Sequence, residues 1–173
     1  MKNLLLIINL IFFFISCNVS ASSKIVFIDM DMVISTSKSG ANVLKQLNFL
    51  KDKNIKDFKE KSKLLKENEV KILNQKNILS PTDYSLKVNN LKKEIKKYNE
   101  YRDSKIKNFN QKKLDSTNKL LKLINPILEK YSKDKSISMM LQKKNLVIGK
   151  AELDITNIII DIVDKNIKDF KIK

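Results

Sequence analysis

The chain has 173 residues, 35 basic and 19 acidic side chains, a net charge of +16 and no histidine. Only two glycines and two prolines interrupt it, which argues against a many-stranded sandwich with its frequent turns and favours long helices. One cysteine, Cys17, is too few for a disulfide framework, and without histidine most routes to acid–base, nucleophilic or zinc chemistry are closed.

The first residues read as an export signal. Lys2 supplies a positive start, residues 4–15 are apolar except for Asn9, and Val19-Ser20-Ala21 offers small residues at a cleavage site. The apolar run is too short to cross a bilayer, which takes about 20 such residues. Cleavage after Ala21 is the expectation, making 1–21 a signal peptide. The rival is a lipoprotein signal, with Cys17 acylated after Ser16. After cleavage at Ala21 no thiol remains, so stability in an oxidising compartment must come from packing or oligomerisation.

Residues 24–30 (KIVFIDM) form a β-branched and aromatic run that predicts a buried strand. Asp31 is then placed to cap a short helix through Ser35, and residues 37–40 (SKSG) read as a loop. Residues 41–79 contain neither glycine nor proline. Leu44, Phe58, Leu65, Ile72 and Leu79 recur at multiples of seven, supplemented by Leu47, Leu50 and Ile55, while the partner positions Asn54, Lys61, Asn68 and Gln75 are polar. So thin a seam predicts one arm of a two-helix hairpin, roughly 59 Å long.

Ser80-Pro81-Thr82-Asp83 combines an N-cap, a proline suited to the first helical position and an acid at the capping-box position. A new helix starting there must run antiparallel to the first, which puts the hairpin tip near 80–81. Tyr84, Val88, Leu91, Ile95 and Tyr98 continue the seam, Arg102 and Lys105 break it, and it resumes from Leu114 to Tyr131 with a wider apolar face. Pro126 should kink this helix. Residues 137–141 and 146–148 read as a hairpin of strands, and Asp154 as the cap of a last helix through Ile167, with a strand left possible by its β-branched residues.

The predicted fold class is therefore mainly α with a small β head, a long antiparallel helical hairpin mounted on a β-strand body. Residues 22–40 and 132–173 make the head and 41–131 the arm. With the export signal, this order resembles the Skp/OmpH family of periplasmic chaperones. The opening KIVFIDMDMVISTSKSG and the closing YSKDKSISMMLQKKNLVIGKAELDITNIIIDIV carry the resemblance, whereas the arm matches in composition only. The resemblance implies a homotrimer whose head strands assemble into a common body. Three tentacle-like arms then enclose a cavity for unfolded outer-membrane proteins, held without nucleotide. Ile25, Phe27, Met139, Leu141 and Val147 are the expected trimerisation residues. The chain departs from the family pattern in its lysine excess and its single arginine, Arg102.

No enzyme activity and no cofactor are expected. Asp29, Asp31, Glu152 and Asp154 form no recognisable catalytic pair, and there is no glycine-rich phosphate loop. The lysines have a plain reading as a solvated helix face. A second reading is contact with clients or with anionic phospholipid or lipopolysaccharide, through Lys92, Lys93, Lys96, Lys97, Lys105 and Lys107. Charge of this size also attracts nucleic acid, but phosphate grips and base readout favour arginine, so no functional nucleic acid is expected. Tyr84, Tyr98, Met30, Met32, Met139 and Met140 are expected to pack, and Tyr101 could meet clients. The alternative function is a basic coiled-coil spacer that tethers the head to another envelope component.

Overall fold

A computed structural model describes residues 23–172. The export-signal expectation at 1–21, with Cys17, lies outside those residues. The chain runs β1 (Lys24–Ile28), α1 (Met30–Thr36), α2 (Lys38–Asn74), α3 (Pro81–Asp134), β2 (Ile137–Gln142), two short 3-10 turns, and α4 (Thr156–Asn166). The architecture is mainly helical: a long α2–α3 hairpin rising from a head that contains a two-stranded sheet.

β1 ends one residue before a helix cap. Asp29, rather than Asp31, is the N-cap of α1, and its carboxylate accepts from the Met32 amide at 2.9 Å. Asp31 instead supplies an acid to the first turn. The stretch 37–40, read from sequence as a loop, is the start of α2. Ser37 caps that helix through its hydroxyl, which accepts from the Gly40 amide, and is also the C-cap of α1. Two helices thus meet at one buried serine. Gly40 is required by closeness: a Cβ there would lie 1.8 Å from the Ile34 carbonyl oxygen.

α2 stops at Asn74, short of the expected end at Leu79. Residues 75–80 make the turn, with the Gln75 carbonyl accepting from the Ile78 and Leu79 amides. Ser80 then caps α3 as expected, accepting from the Asp83 amide at 3.1 Å and donating to the Asp83 carboxylate at 2.6 Å. α3 is continuous through Pro126 for 54 residues, or roughly 81 Å. Its first part pairs with α2. Its last part, from Ser116 onward, is the spine of the head, where Leu120 and Ile124 are fully buried.

The expected strand hairpin does not form. β2 pairs with β1, and the pair is parallel, with Ile25 opposite Met139 and Phe27 opposite Leu141. The α1–α2–α3 excursion supplies the long crossover that parallel pairing needs. Residues 143–145 make a 3-10 turn and 146–148 carry no strand. The far side of β1 is met by the segment before α4, where the Ile155 amide donates to the Phe27 carbonyl at 3.0 Å and Phe27 bridges Asp154.

Parallel pairing sorts the side chains by face. Val26 and Ile28 enter the head core with Val33, Leu120, Ile124, Ile137, Ile155, Ile159 and Val163. Met30 and Met140 join this core, while Met32 and Met139 are exposed. α4 closes the core from the other side and is a helix, which settles the strand alternative for its β-branched residues.

Candidate functional site

Two surfaces carry the functional expectations: the outer face of the head sheet and the length of the arm. On the head, Ile25 and Met139 are partners in the register and stand on the face away from the core, 43% and 52% exposed. Leu141 beside them is half-buried. Phe27 shares that face but is buried within its own chain, because Gly149 lies against its ring. A Cβ at Gly149 would meet the ring at 2.7 Å, so a larger residue there would force the ring or the loop to shift. Val147 and Ile148, beyond the 3-10 turn, are 104% and 91% exposed. Four of the five residues expected at a subunit interface are thus at least partly open, and Phe27 is occupied.

The ion pair of Lys143 and Asp154 holds this loop, with Nζ 2.7 Å from the carboxylate. Burial opposes ionisation of Asp154 and is its largest single influence. The hydrogen bonds from Lys143 and from the Thr156 hydroxyl and amide, aided by the ammonium charge, outweigh it and hold the carboxyl below its ordinary value. Lys143 is shifted up, first by its hydrogen bond to Asp154 and then by that residue's charge. The Thr156 hydroxyl also accepts from the Asp29 amide at 2.9 Å, so the start of α4 is sewn to the end of β1. Asp154 is therefore not the expected N-cap, which is Ile155; it stands one residue earlier and accepts from the Thr156 amide at the helix start.

Along the arm, Val43 and Leu47 are buried at the root, and Ile72 and Leu91 are buried near the tip. Leu44, expected on the seam, is exposed beside Val43. Polar seam residues pair across the hairpin: Asn68 donates to Glu94 at 3.2 Å, and Lys87 donates to Gln75 at 2.6 Å. Midway, the Tyr101 hydroxyl donates to Asp57 at 2.8 Å and Tyr98 donates to the Phe58 carbonyl at 3.2 Å. The Phe58 and Tyr101 rings meet edge to face at 6.4 Å. Lys61 and Lys105 lie 5.2 and 5.3 Å from the Tyr101 ring centroid. The seam broken by Arg102 and Lys105 in the sequence is thus filled by an aromatic clasp.

The six lysines singled out from sequence are all exposed and do not converge. Lys97 borders an open groove of about 440 Å³ beside Leu64, Leu65, Tyr98 and Tyr101. Lys105 is held over Tyr101, and Lys96 faces Glu100 at 4.0 Å. Lys92, Lys93 and Lys107 stand on the solvent side of α3. Sequence reasoning missed the apolar residues between the lysines of α2. Phe49, Leu64 and Leu73 there, and Ile78 in the turn that follows, are each more than half exposed, and their only signal was lying off the seam. Among the described residues no group of His, Cys, Asp and Glu could hold a metal ion, and no helix is long and apolar enough to cross a membrane.

An arm of this kind on a strand-containing head defines a helical-hairpin protein with an open apolar head face. The family model for outer membrane protein (OmpH-like) matches residues 24–163, and the chain belongs to this OmpH-like family, the Skp family of outer-membrane-protein chaperones. The family is periplasmic, and its members are chaperones rather than enzymes. Among solved structures, a candidate outer membrane chaperone (OmpH-like) from Caulobacter crescentus CB15 shares the fold with a TM-score of 0.78. It is 12% identical, and the match covers 87% of this chain and 89% of that one. No curated protein matches the chain.

Proposed function

We propose that this protein is an ATP-independent periplasmic holdase, exported with cleavage after Ala21. In this reading three copies join through their heads, and unfolded outer-membrane proteins are kept from aggregating in the space between the arms. The observation that carries the reading is the exposed apolar face of the head, formed by Ile25 and Met139, together with the exposed Val147 and Ile148 in the loop after β2. A β-sheet of two strands is marginal by itself. An apolar face with an open strand edge is suited to continuation by another chain.

The arm supports the second half of the reading. Its exposed apolar side chains are interspersed with lysines, so a client meets weak contacts of both kinds. Contacts of this sort are individually exchangeable and collectively sufficient to retain an extended chain. The lysines Lys92, Lys93, Lys96, Lys97, Lys105 and Lys107 also suit the arm to anionic phospholipid or lipopolysaccharide near the membrane.

Sizing with light scattering, together with dilution of a urea-unfolded β-barrel protein into the purified chain, tests the proposal. The expected result is a trimer that suppresses aggregation at about one trimer per client. Met139→Lys should shift the protein toward monomer. A monomeric wild-type chain without effect on aggregation overturns the reading.

A further inference from the structure

The segment after α4 does more than end the head. Ile167 and Phe170 pack on the head core, and the chain between them crosses to the root of the arm. There the Gln46 side chain of α2 grips it from both sides: its amide nitrogen donates to the Phe170 carbonyl at 2.9 Å, and its oxygen accepts from the Ile172 amide at 3.1 Å. Asn42, one turn earlier, accepts a second bond from the same nitrogen at 2.9 Å and so orients the amide. On the α3 side, the Lys119 ammonium sits 4.1 Å from the centre of the Phe170 ring. A cavity of about 220 Å³ lies between the tail and α3, bordered by Ser116 and Lys119.

α4 makes a further connection to the same root. The Asp164 carboxylate accepts from the Lys38 amide at 2.7 Å, at the N-terminus of α2 where a negative charge is favoured. The first turn of α2 is thus tied by α4, its third turn by the tail, and α3 by the Phe170 ring.

We propose that residues 168–172 are a strap that fixes the angle of the arm to the head, so that its release frees the arm root while leaving the head folded. The geometry suits a releasable contact. Apart from the packing of Phe170 on the head core, the strap is held by two side-chain-to-backbone hydrogen bonds and one cation–ring contact on a partly exposed segment, and polar contacts of that kind open at low cost beside a core. Because no client enters the argument, the strap stands independently of the holding function.

Hydrogen–deuterium exchange on the full chain, on a chain ending at Ile167 and on Gln46→Ala tests it. In both altered chains the amides of residues 43–50 and 112–119 should exchange about tenfold faster. Those of β1 and of Ile159 to Val163 should keep their rates. Small-angle scattering should show a broader distribution of dimensions for the shortened chain. Unchanged exchange at the arm root in both altered chains overturns the proposal. So does an equal acceleration of arm root, β1 and α4, which would make the tail an ordinary part of the head core.

Discussion

In the head, Val33, Ile124, Ile159 and Val163 are completely buried, and elements distant in sequence meet around them. In the arm, buried apolar residues are separated by polar pairs such as Asn68–Glu94 and Gln75–Lys87. A single seam buries too little apolar surface to repay the ordering of two long helices generously, so the arm depends on its attachment to the head, through the continuous α3 and through the buried root of α2. Stability belongs to the head, and reach, charge and local opening belong to the arm.

Truncating one apolar core-facing side chain in each region, buried in the head and half-buried in the arm, tests this division with the largest expected effect. Ile124→Ala should cost about 4 kcal/mol in urea unfolding, because Ile124 is completely buried where α3 crosses the head. Leu65→Ala, half-buried on the arm seam, should cost about 1 kcal/mol. Equal losses would mean that the arm and the head unfold as one evenly stabilised body. Gly40→Ala comes next, at about 3 kcal/mol by the same measurement, since the added methyl group meets backbone at the α1–α2 corner rather than a movable side chain.

A smaller effect follows from Asp154. Its carboxyl is held below the ordinary value in the folded protein, so the stability it contributes is present above the unfolded value, near pH 4, and is lost as pH falls through the folded one. Asp154→Asn should therefore flatten the acid limb of a stability–pH profile recorded from pH 6 to 2.5. An unchanged acid limb would remove this pair from the loop's support.

The hairpin was legible because its signals are local. The absence of breakers and the Ser80–Pro81 punctuation require nothing beyond neighbouring residues. The corner at Ser37 was not legible as a helix start. Ser-Lys-Ser-Gly has loop composition, and its glycine answers to the Ile34 carbonyl, a contact that exists only once the two helices meet. Residues 146–148 misled for a related reason. Their apolar run looks like a strand, but β2 takes one side of β1 and the Asp154 segment meets the other, leaving Val147 and Ile148 in solvent. Of the candidate surface, the head residues Ile25 and Met139 were legible only through the family resemblance, because the runs they sit in, IVFI and MML, are continuously apolar and do not mark an outer face. The exposed apolar residues of α2 were not legible, because a seam-based reading has no place for apolar side chains that face water.

The least disruptive change addresses the middle of the arm, and its effect should be local. The Tyr101 hydroxyl is shifted up first by its hydrogen bond to Asp57, then by burial and by the Asp57 charge. The neutral phenol donates to the carboxylate, and an ionised one would repel it. The clasp's contribution is therefore complete below the ordinary tyrosine value, near pH 10, and is lost as pH rises through the elevated folded value. Tyr101→Phe keeps the ring against Phe58 and removes only that donor. It should speed hydrogen exchange around residues 57–61 and 98–105 at neutral pH, leave β1 and α4 as they were, and abolish the alkaline opening of the same segment. Acceleration that spreads into the head would mean the clasp is coupled to the core through α3, and the division between a stable head and a locally opening arm would fail.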